Sequence, residues 1–396
     1  MEDAGKTKLT NGKSVVAVIR CDGYEYVRVR ERVAEAVSAI GGMRRFVSPG
    51  ERILLKPNML APDPPERATT THPSVMRALA SLAREAGAKV RYGDSPGFGT
   101  PDNAVIGTGI RDVMEMEEAL FADFSAGRLV QFQGKIQSRR LPIANGILDC
   151  DGIINVPKLK THGFQRITGA VKNMFGVLPG LSKGEMHVKI PGAFEFAELL
   201  LDLALYCAPR FSMLDGILAM EGNGPRGGHP RPMNVLLAST DPIALDATAA
   251  RIVGLDPLHA PVLSIAAERG LGAVHEADID IVGVPLADVR DSDFSIEHRP
   301  IRPFFQKKTA ALLSRIAVPK PFIQPKACVR CGVCVTVCPT KPKALSRGSA
   351  QDIPVYDYDR CIRCYCCQEL CPESAVHITK PLLRRVFDLI DGLFFR

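Results

Sequence analysis

Nine of the chain's twelve cysteines lie between Cys328 and Cys371, and eight of them form two copies of one spacing. Cys328, Cys331, Cys334 and Cys338 precede Pro339; Cys361, Cys364, Cys367 and Cys371 precede Pro372. Each copy reads C-x2-C-x2-C-x3-C-P, a spacing in which three thiolates wrap one [4Fe-4S] cube and the fourth reaches a neighbouring cube. The crossed arrangement predicts two ligand sets: Cys328, Cys331 and Cys334 with Cys371, and Cys361, Cys364 and Cys367 with Cys338. Two structural zinc knuckles are the rival reading, but zinc needs only four thiolates in a tetrahedron and gains nothing from a three-plus-one spacing. A disulfide framework fits less well. Met1 to Lys13 is polar and lacks the apolar core of a signal peptide, so a reducing cytoplasm is expected.

Cys366 adjoins Cys367, yet only Cys367 keeps the x2 and x3 spacings on both sides; Cys366 reads as a thiol beside the ligands, or as filler. Cys21, Cys150 and Cys207 lie in or next to apolar segments and read as core.

A second group of chemically capable residues falls in short polar runs after apolar ones. Lys56-Pro57-Asn58, Asp94-Ser95-Pro96-Gly97, Val156 to His162, Lys172-Asn173, Glu221 to Pro225, and Asp241 with Asp246 all follow strand-like segments. Four lysines, Lys56, Lys158, Lys160 and Lys172, suggest a site for a small anion. A desolvated lysine shifts its pKa readily and can act as acid or base. Lys158, Lys160, Lys172 and His162 are therefore the catalytic candidates, with Lys56, Asn58, Asp94, Asn173, Glu221 and Asp246 as substrate-binding candidates. Against this, loop-end lysines are ordinarily solvated and a lone histidine is ordinarily a satisfied polar residue. Gly107-Thr108-Gly109 lacks the third glycine and the preceding strand of a dinucleotide fingerprint, and no phosphate-binding P-loop pattern occurs. Flavin pockets often lack a short signature, so a flavin remains open.

The elements that must position these residues alternate strand and helix. Strands are expected at 14–20, 52–55, 89–92, 152–156, 212–219 and 234–238, and helices at 27–40, 73–86, 194–207 and 242–253. That alternation predicts an α/β body with a mainly parallel sheet, whose ligands bind beyond the carboxyl ends of the strands. The expected order is a disordered tail (1–13), the body (14–284), a proline- and charge-rich linker (285–327) with a short helix at 309–316, a small α+β cysteine-rich module (328–380) and an amphipathic helix (381–396). The chain is 46 % hydrophobic and 23 % charged, an ordinary globular composition. Glu195, Glu198 and Asp202 interrupt its most apolar stretch, so no membrane span is expected. Basic residues between Ile301 and Ala327 read as a solvated linker or a surface for an acidic partner. Nucleic-acid binding finds no basic–aromatic pattern, and tryptophan is absent.

Two resemblances follow. The module is similar to tandem bacterial-type ferredoxins, and every ligand position carries over. The stretches Lys56-Pro57-Asn58, Gly93 to Gly97, Val156 to His162, Gly169 to Gly176 and Met220 to Pro225 resemble a domain-of-unknown-function family of the DUF362 type, some members of which carry such a module. The family resemblance implies that these loops form one site and does not say what it binds. The expectation is an iron–sulfur electron-transfer protein or oxidoreductase with two [4Fe-4S] clusters, an external electron carrier, and a small-molecule site in the body. The alternative is a ligand- or partner-binding assembly module whose clusters are structural or redox-sensing. The oligomeric state is not legible.

Overall fold

The computed structural model describes residues 12–131, 140–180, 182–301 and 319–379. The helix expected at 381–396 and the short one at 309–316 lie outside the described residues, as does most of the expected N-terminal tail.

The body is built on a ten-stranded sheet. Its first strands are β1 (Ser14–Arg20), β2 (Arg52–Pro57), β3 (Lys89–Tyr92) and β4 (Leu120–Phe121). A separate antiparallel pair, β5 (Gly127–Gln131) and β6 (Arg140–Ala144), precedes β7 (Gly152–Val156). Then come β8 (Lys158–His162), β9 (Arg166–Thr168), β10 (Phe211–Glu221), β11 (His229–Ser239) and β12 (Ile279–Gly283). The spatial order is β12-β1-β11-β10-β7-β2-β3-β4, with β8 on β10 and β9 on β8.

Apolar residues alternate between the two faces because strand side chains alternate. Val16, Val18 and Leu54 enter one core, under the helices Ala193–Cys207 and Pro242–Ile252. Val15, Ala17, Ile53 and Leu55 enter the other, under Tyr26–Ala39 and Pro73–Glu85. Coverage on both faces explains why these strands read as unbroken apolar runs. Each of the four helices starts and ends within one residue of its expected bounds. Cys21 is buried in the second core, while Cys150 and Cys207 pack half-buried against the first.

The sheet is mainly parallel, as expected, apart from β9, which runs antiparallel to β8, and one interruption in its middle. β11 runs antiparallel between β1 and β10, because the strand expected at 212–219 continues to Glu221 and turns back at His229. The second departure concerns Lys158 to His162, expected as a loop. It is a strand, buried throughout, that continues β7 past Pro157 and runs parallel to β10.

In the module, β13 (Lys320–Ile323) pairs antiparallel with β16 (Val376–Thr379), and β14 (Leu345–Ser346) with β15 (Val355–Tyr356). β13 lies within the stretch expected as linker. Short helices at Val333–Thr336 and Cys366–Glu369 follow the cysteine turns.

Candidate functional site

The cysteine runs fold as two near copies. Arg330 and Gly332 flank Cys331, Arg363 and Tyr365 flank Cys364, and all four residues take left-handed backbone conformations. For Arg330, Arg363 and Tyr365 this conformation is strained. It curls each loop so that the first three cysteines of one run face a common cavity. One cavity is lined by Cys328, Cys331, Cys334 and Cys371. The other is lined by Cys338, Cys361, Cys364 and Cys367. These are the two crossed sets that the spacing predicts. Soft thiol donors in fours, among apolar neighbours such as Ile323, Val333 and Val376, fit an iron–sulfur cube. Among the described residues, no three His, Cys, Asp or Glu side chains gather tightly enough to hold a single metal ion. Tyr356 Oη donates to Cys367 Sγ at 3.2 Å, and the Thr340 hydroxyl lies 3.3 Å from Cys338 Sγ. Cys366 is absent from both cavities and lines a third.

That third cavity is a cleft of about 1150 Å³ between body and module. Its body wall comes from the loops after β2 and β3, the 170–176 segment and the Ser182–Lys189 helix. Its module wall includes Cys338, Cys366, Glu369 and Leu370. Asn58, Asp94, Lys172 and Asn173 all line it, which brings four of the expected site residues together. Adjacent parallel strands explain the convergence, since β7, β2 and β3 end side by side. Asn173 Nδ2 donates to Asn155 Oδ1 at 2.7 Å, and Asn58 Nδ2 donates to Asn173 Oδ1 at 2.9 Å. Lys56 Nζ and Asp94 Oδ1 pair at 2.7 Å, both buried. Gly176 is required beside them, because a Cβ there would collide with Asp94 Oδ1 and crowd Lys56 Nζ.

The remaining candidates lie elsewhere. Lys158 is fully buried and bound to Asp215 Oδ2 at 2.8 Å and to Tyr24 Oη at 2.9 Å. Tyr24 also donates to Asp215 Oδ1 and stacks on His72. Lys160 is buried, donating to the Thr69 carbonyl at 2.6 Å; burial, with Lys172 nearby, pushes its pKa well below the usual lysine range. Burial also lowers Lys56, Lys158 and Lys172, against the pull of Asp94, Asp215 and Glu369 respectively. Neither Lys158 nor Lys160 reaches the cleft. Asp246 accepts from the Ala170 and Val171 amides at 2.5 and 3.0 Å, and so anchors the turn that presents Lys172 and Asn173. Burial raises its pKa to about 7. Glu221 accepts from the Ser295 amide and also stands outside the cleft. His162 is buried at the seam, with Nε2 3.0 Å from Glu369 Oε1.

The loop Glu221 to Gly228, which opens on the substrate-binding candidate Glu221, clasps the module. Gln368 Nε2 donates to Asn223 Oδ1 at 2.7 Å, and Asn223 Nδ2 donates to the Val376 carbonyl. Buried Arg226 grips Asp63 through two nitrogens at 2.7 and 2.8 Å and gives a third bond to the Leu370 carbonyl at 2.8 Å.

Sequence reasoning missed Lys183, His187, Glu369, Arg226 and Asp215. Lys183 Nζ donates to the Ser95 carbonyl and hydroxyl and to the Pro96 carbonyl, each at 2.6 Å, and burial lowers its pKa to about 7. His187 is buried against Phe196 and Phe175, and burial lowers it to about 4. One signal was available: Asp215 sits inside an otherwise apolar strand, where an acid requires a partner.

Two family models match the chain. The family described as domain of unknown function (DUF362) matches residues 53–251, and the 4Fe-4S dicluster domain matches residues 320–372. The chain is 37% identical over 257 residues to the thylakoid-associated protein sll1697 of Synechocystis sp. (strain ATCC 27184 / PCC 6803 / Kazusa), an alignment covering 65% of this chain and 79% of that protein. The lactate racemase apoprotein from Thermoanaerobacterium thermosaccharolyticum overlays with a TM-score of 0.36 at 12% identity, covering 59% of this chain and 56% of that one. The C-terminal module is thus a ferredoxin-type 4Fe-4S domain, with the capacity for iron–sulfur electron transfer that such a domain carries. The chain belongs to the DUF362 family, with a 4Fe-4S dicluster domain on the C-terminal side of its family region.

Proposed function

We propose that this protein is an iron–sulfur oxidoreductase or electron-transfer protein that exchanges electrons between an external carrier and a small anionic molecule held in the interdomain cleft. The observation that carries the reading is a shared wall: Lys172 of the body and Cys338 of the module line the same cavity. Two [4Fe-4S] clusters, when bound by the two cysteine sets, supply one-electron storage. The chain's own residues do the rest. Lys172 attracts the anion, while Asn58 and Asn173, locked to each other, hold the floor of the site in place. His187, neutral at pH 7 and without a partner at Nδ1, can exchange a proton there. Phe98, Phe175 and Leu370 narrow the cleft and keep water from its apolar side.

Anaerobic reconstitution tests this. About eight iron and eight sulfide per chain, with a reducible cubane EPR signal, are expected; a stoichiometric zinc load without sulfide defeats the reading. A second reading, a redox sensor that switches partner or ligand affinity, is favoured by one observation. Gln368 and Glu369, in the helix that carries Cys367, are tied directly to the body. Clusters that change ligand affinity on reduction, yet are never reoxidised by a bound small molecule, would support the sensor. We assign the chain to a reducing cytoplasm. Among the described residues no helix is long and apolar enough to cross a membrane, so an association like that named for the thylakoid relative would be through a surface.

A further inference from the structure

Five lysines surround the carboxyl ends of β7, β8, β2 and β3, and four are already engaged. Lys56 is held by Asp94, Lys158 by Asp215, Lys160 by the Thr69 carbonyl, and Lys183 by Ser95 and Pro96. Among the described residues, Lys172 alone of these five has no hydrogen bond or ion pair, and it lines the cleft. Lys189 and Lys343 at the rim are engaged by Glu185 and by the Val335 and Thr336 carbonyls, and Lys341 faces bulk water. The interior of the cleft therefore offers one lysine with no hydrogen-bonded or ion-paired partner, on which the Glu369 carboxylate acts only at longer range. A second group points to a ligand independently: His187, only 7 % exposed, lines the same cleft with Nδ1 unpartnered.

Apolar side chains make up the larger part of the remaining wall, beside polar groups that include Asn58, Asn173 and the Asp94 and Glu369 carboxylates. Leu60, Phe98, Phe124, Phe175, Val188 and Leu370 line the cavity around Lys172. A volume of about 1150 Å³ is that of a pocket for a drug-sized molecule. Acetate or phosphate would leave most of that surface against water, and a phosphate dianion would bury one negative charge more than a carboxylate, beside Glu369. A single carboxylate on a large apolar body satisfies both features.

We propose that the cleft binds monocarboxylates carrying a bulky aromatic or similarly apolar body, with the carboxylate on Lys172 and the body against Phe98, Phe175 and Leu370. This rests on the cleft being the ligand site.

The test is calorimetric titration of the anaerobically reconstituted full chain with benzoate, naphthoate and pyrenecarboxylate, and with naphthamide and inorganic phosphate. Affinity rises about fivefold with each added ring across the acids, and naphthamide binds at least about tenfold more weakly than naphthoate. Lys172→Gln abolishes the advantage of acid over amide and leaves the amide's affinity within about twofold. Phe98→Ala weakens pyrenecarboxylate more than benzoate. Equal binding of the three acids, or an amide as tight as its acid, overturns the inference and leaves the cleft a ligand site. Phosphate binding more tightly than naphthoate overturns it in favour of a phosphorylated ligand. Failure of all five to bind overturns both the inference and the reading of the cleft, while the iron and sulfide content of the same sample reports separately on electron-transfer capacity.

Discussion

His162 Nε2 and Glu369 Oε1 lie 3.0 Å apart across the seam between body and module, both buried. The Phe164 and Gln165 amides donate to His162 Nδ1 at 3.0 and 3.3 Å, so the neutral ring carries its proton on Nε2, facing the carboxylate. The contact is bent and falls short of a full hydrogen bond, leaving an electrostatic latch. Burial lowers the His162 pKa to about 4. Glu369 ends at about 2: burial raises it, and His162 and Lys172 outweigh that effect.

The latch has a pH signature. His162 and His187 both fall from about 6.5 to about 4 on folding, through burial. A depressed histidine binds fewer protons folded than unfolded, so stability rises with pH across that window. The contribution is present above about 6.5 and is lost as pH falls through about 4, on the order of 3 kcal/mol for each histidine. Thermal unfolding between pH 7.5 and pH 4 should show this loss, and His187→Gln should flatten part of it. A melting temperature that stays level over that window would contradict the assignment.

Arg226 makes a sharper prediction about the seam. Its guanidinium spends three nitrogens on Asp63 and the Leu370 carbonyl while almost fully buried. Arg226→Ala leaves Asp63 buried without its main partner, at a cost of about 3–5 kcal/mol. Leu370 precedes the cluster-ligand candidate Cys371, so the same change should also speed iron loss from that set on exposure to chelator. Chemical unfolding and the rate of bleaching check the two effects. Asp63→Asn in the Arg226→Ala background should restore part of the stability, because it removes the orphaned charge.

Lys158 and Lys172 look alike in sequence and should fail differently. Lys158 shares a fully buried ion pair with Asp215, and Lys158→Met strands that acid at a cost of about 3–5 kcal/mol. Lys172 has no hydrogen-bonded partner to strand, and Glu369 keeps His162 beside it, so Lys172→Gln should unfold within about 1 kcal/mol of the parent and lose anion binding. Denaturation midpoints and titrations on both variants separate the two. A Lys158→Met protein of normal stability would mean that the buried pair does not form.

What the sequence revealed depended on how local the signal was. The cysteine spacing is complete within eleven residues per run, and the apolar runs of β1, β2 and β7 declare themselves over five to seven residues. The lysines could not be read this way. Lys158 is satisfied by Asp215, 57 residues away, and Lys160 by Thr69, 91 residues away. A polar run such as Lys158 to His162 looks like a loop until those partners are in place, and only then is it a buried strand. The glycine-rich loop at Glu221 to Gly228 misled for a related reason: its compactness suits a close approach, and the approaching chain is the protein's own module. Lys183 and His187 carry no local mark, because their surroundings are assembled by the cleft itself.

The cysteine assignment yields the most discriminating experiment. If the fourth ligands cross, Cys338→Ala removes the cluster held by Cys361, Cys364 and Cys367 and spares the other; Cys371→Ala does the reverse. If each run instead closed on its own cube, the two variants would exchange outcomes. The sets differ in surroundings, which makes the outcomes readable. Cys367 accepts a hydrogen bond from Tyr356 and Cys338 shares the large cleft, whereas Cys331 is exposed on the opposite set. Hydrogen bonds to sulfur and solvent exposure set cluster potentials, so the two clusters should titrate apart in a redox-monitored EPR experiment. Cys338→Ala should halve the iron content and leave only the species insensitive to Tyr356→Phe. Loss of the Tyr356-sensitive species in Cys371→Ala instead would mean that the chain closes each cube within a single run.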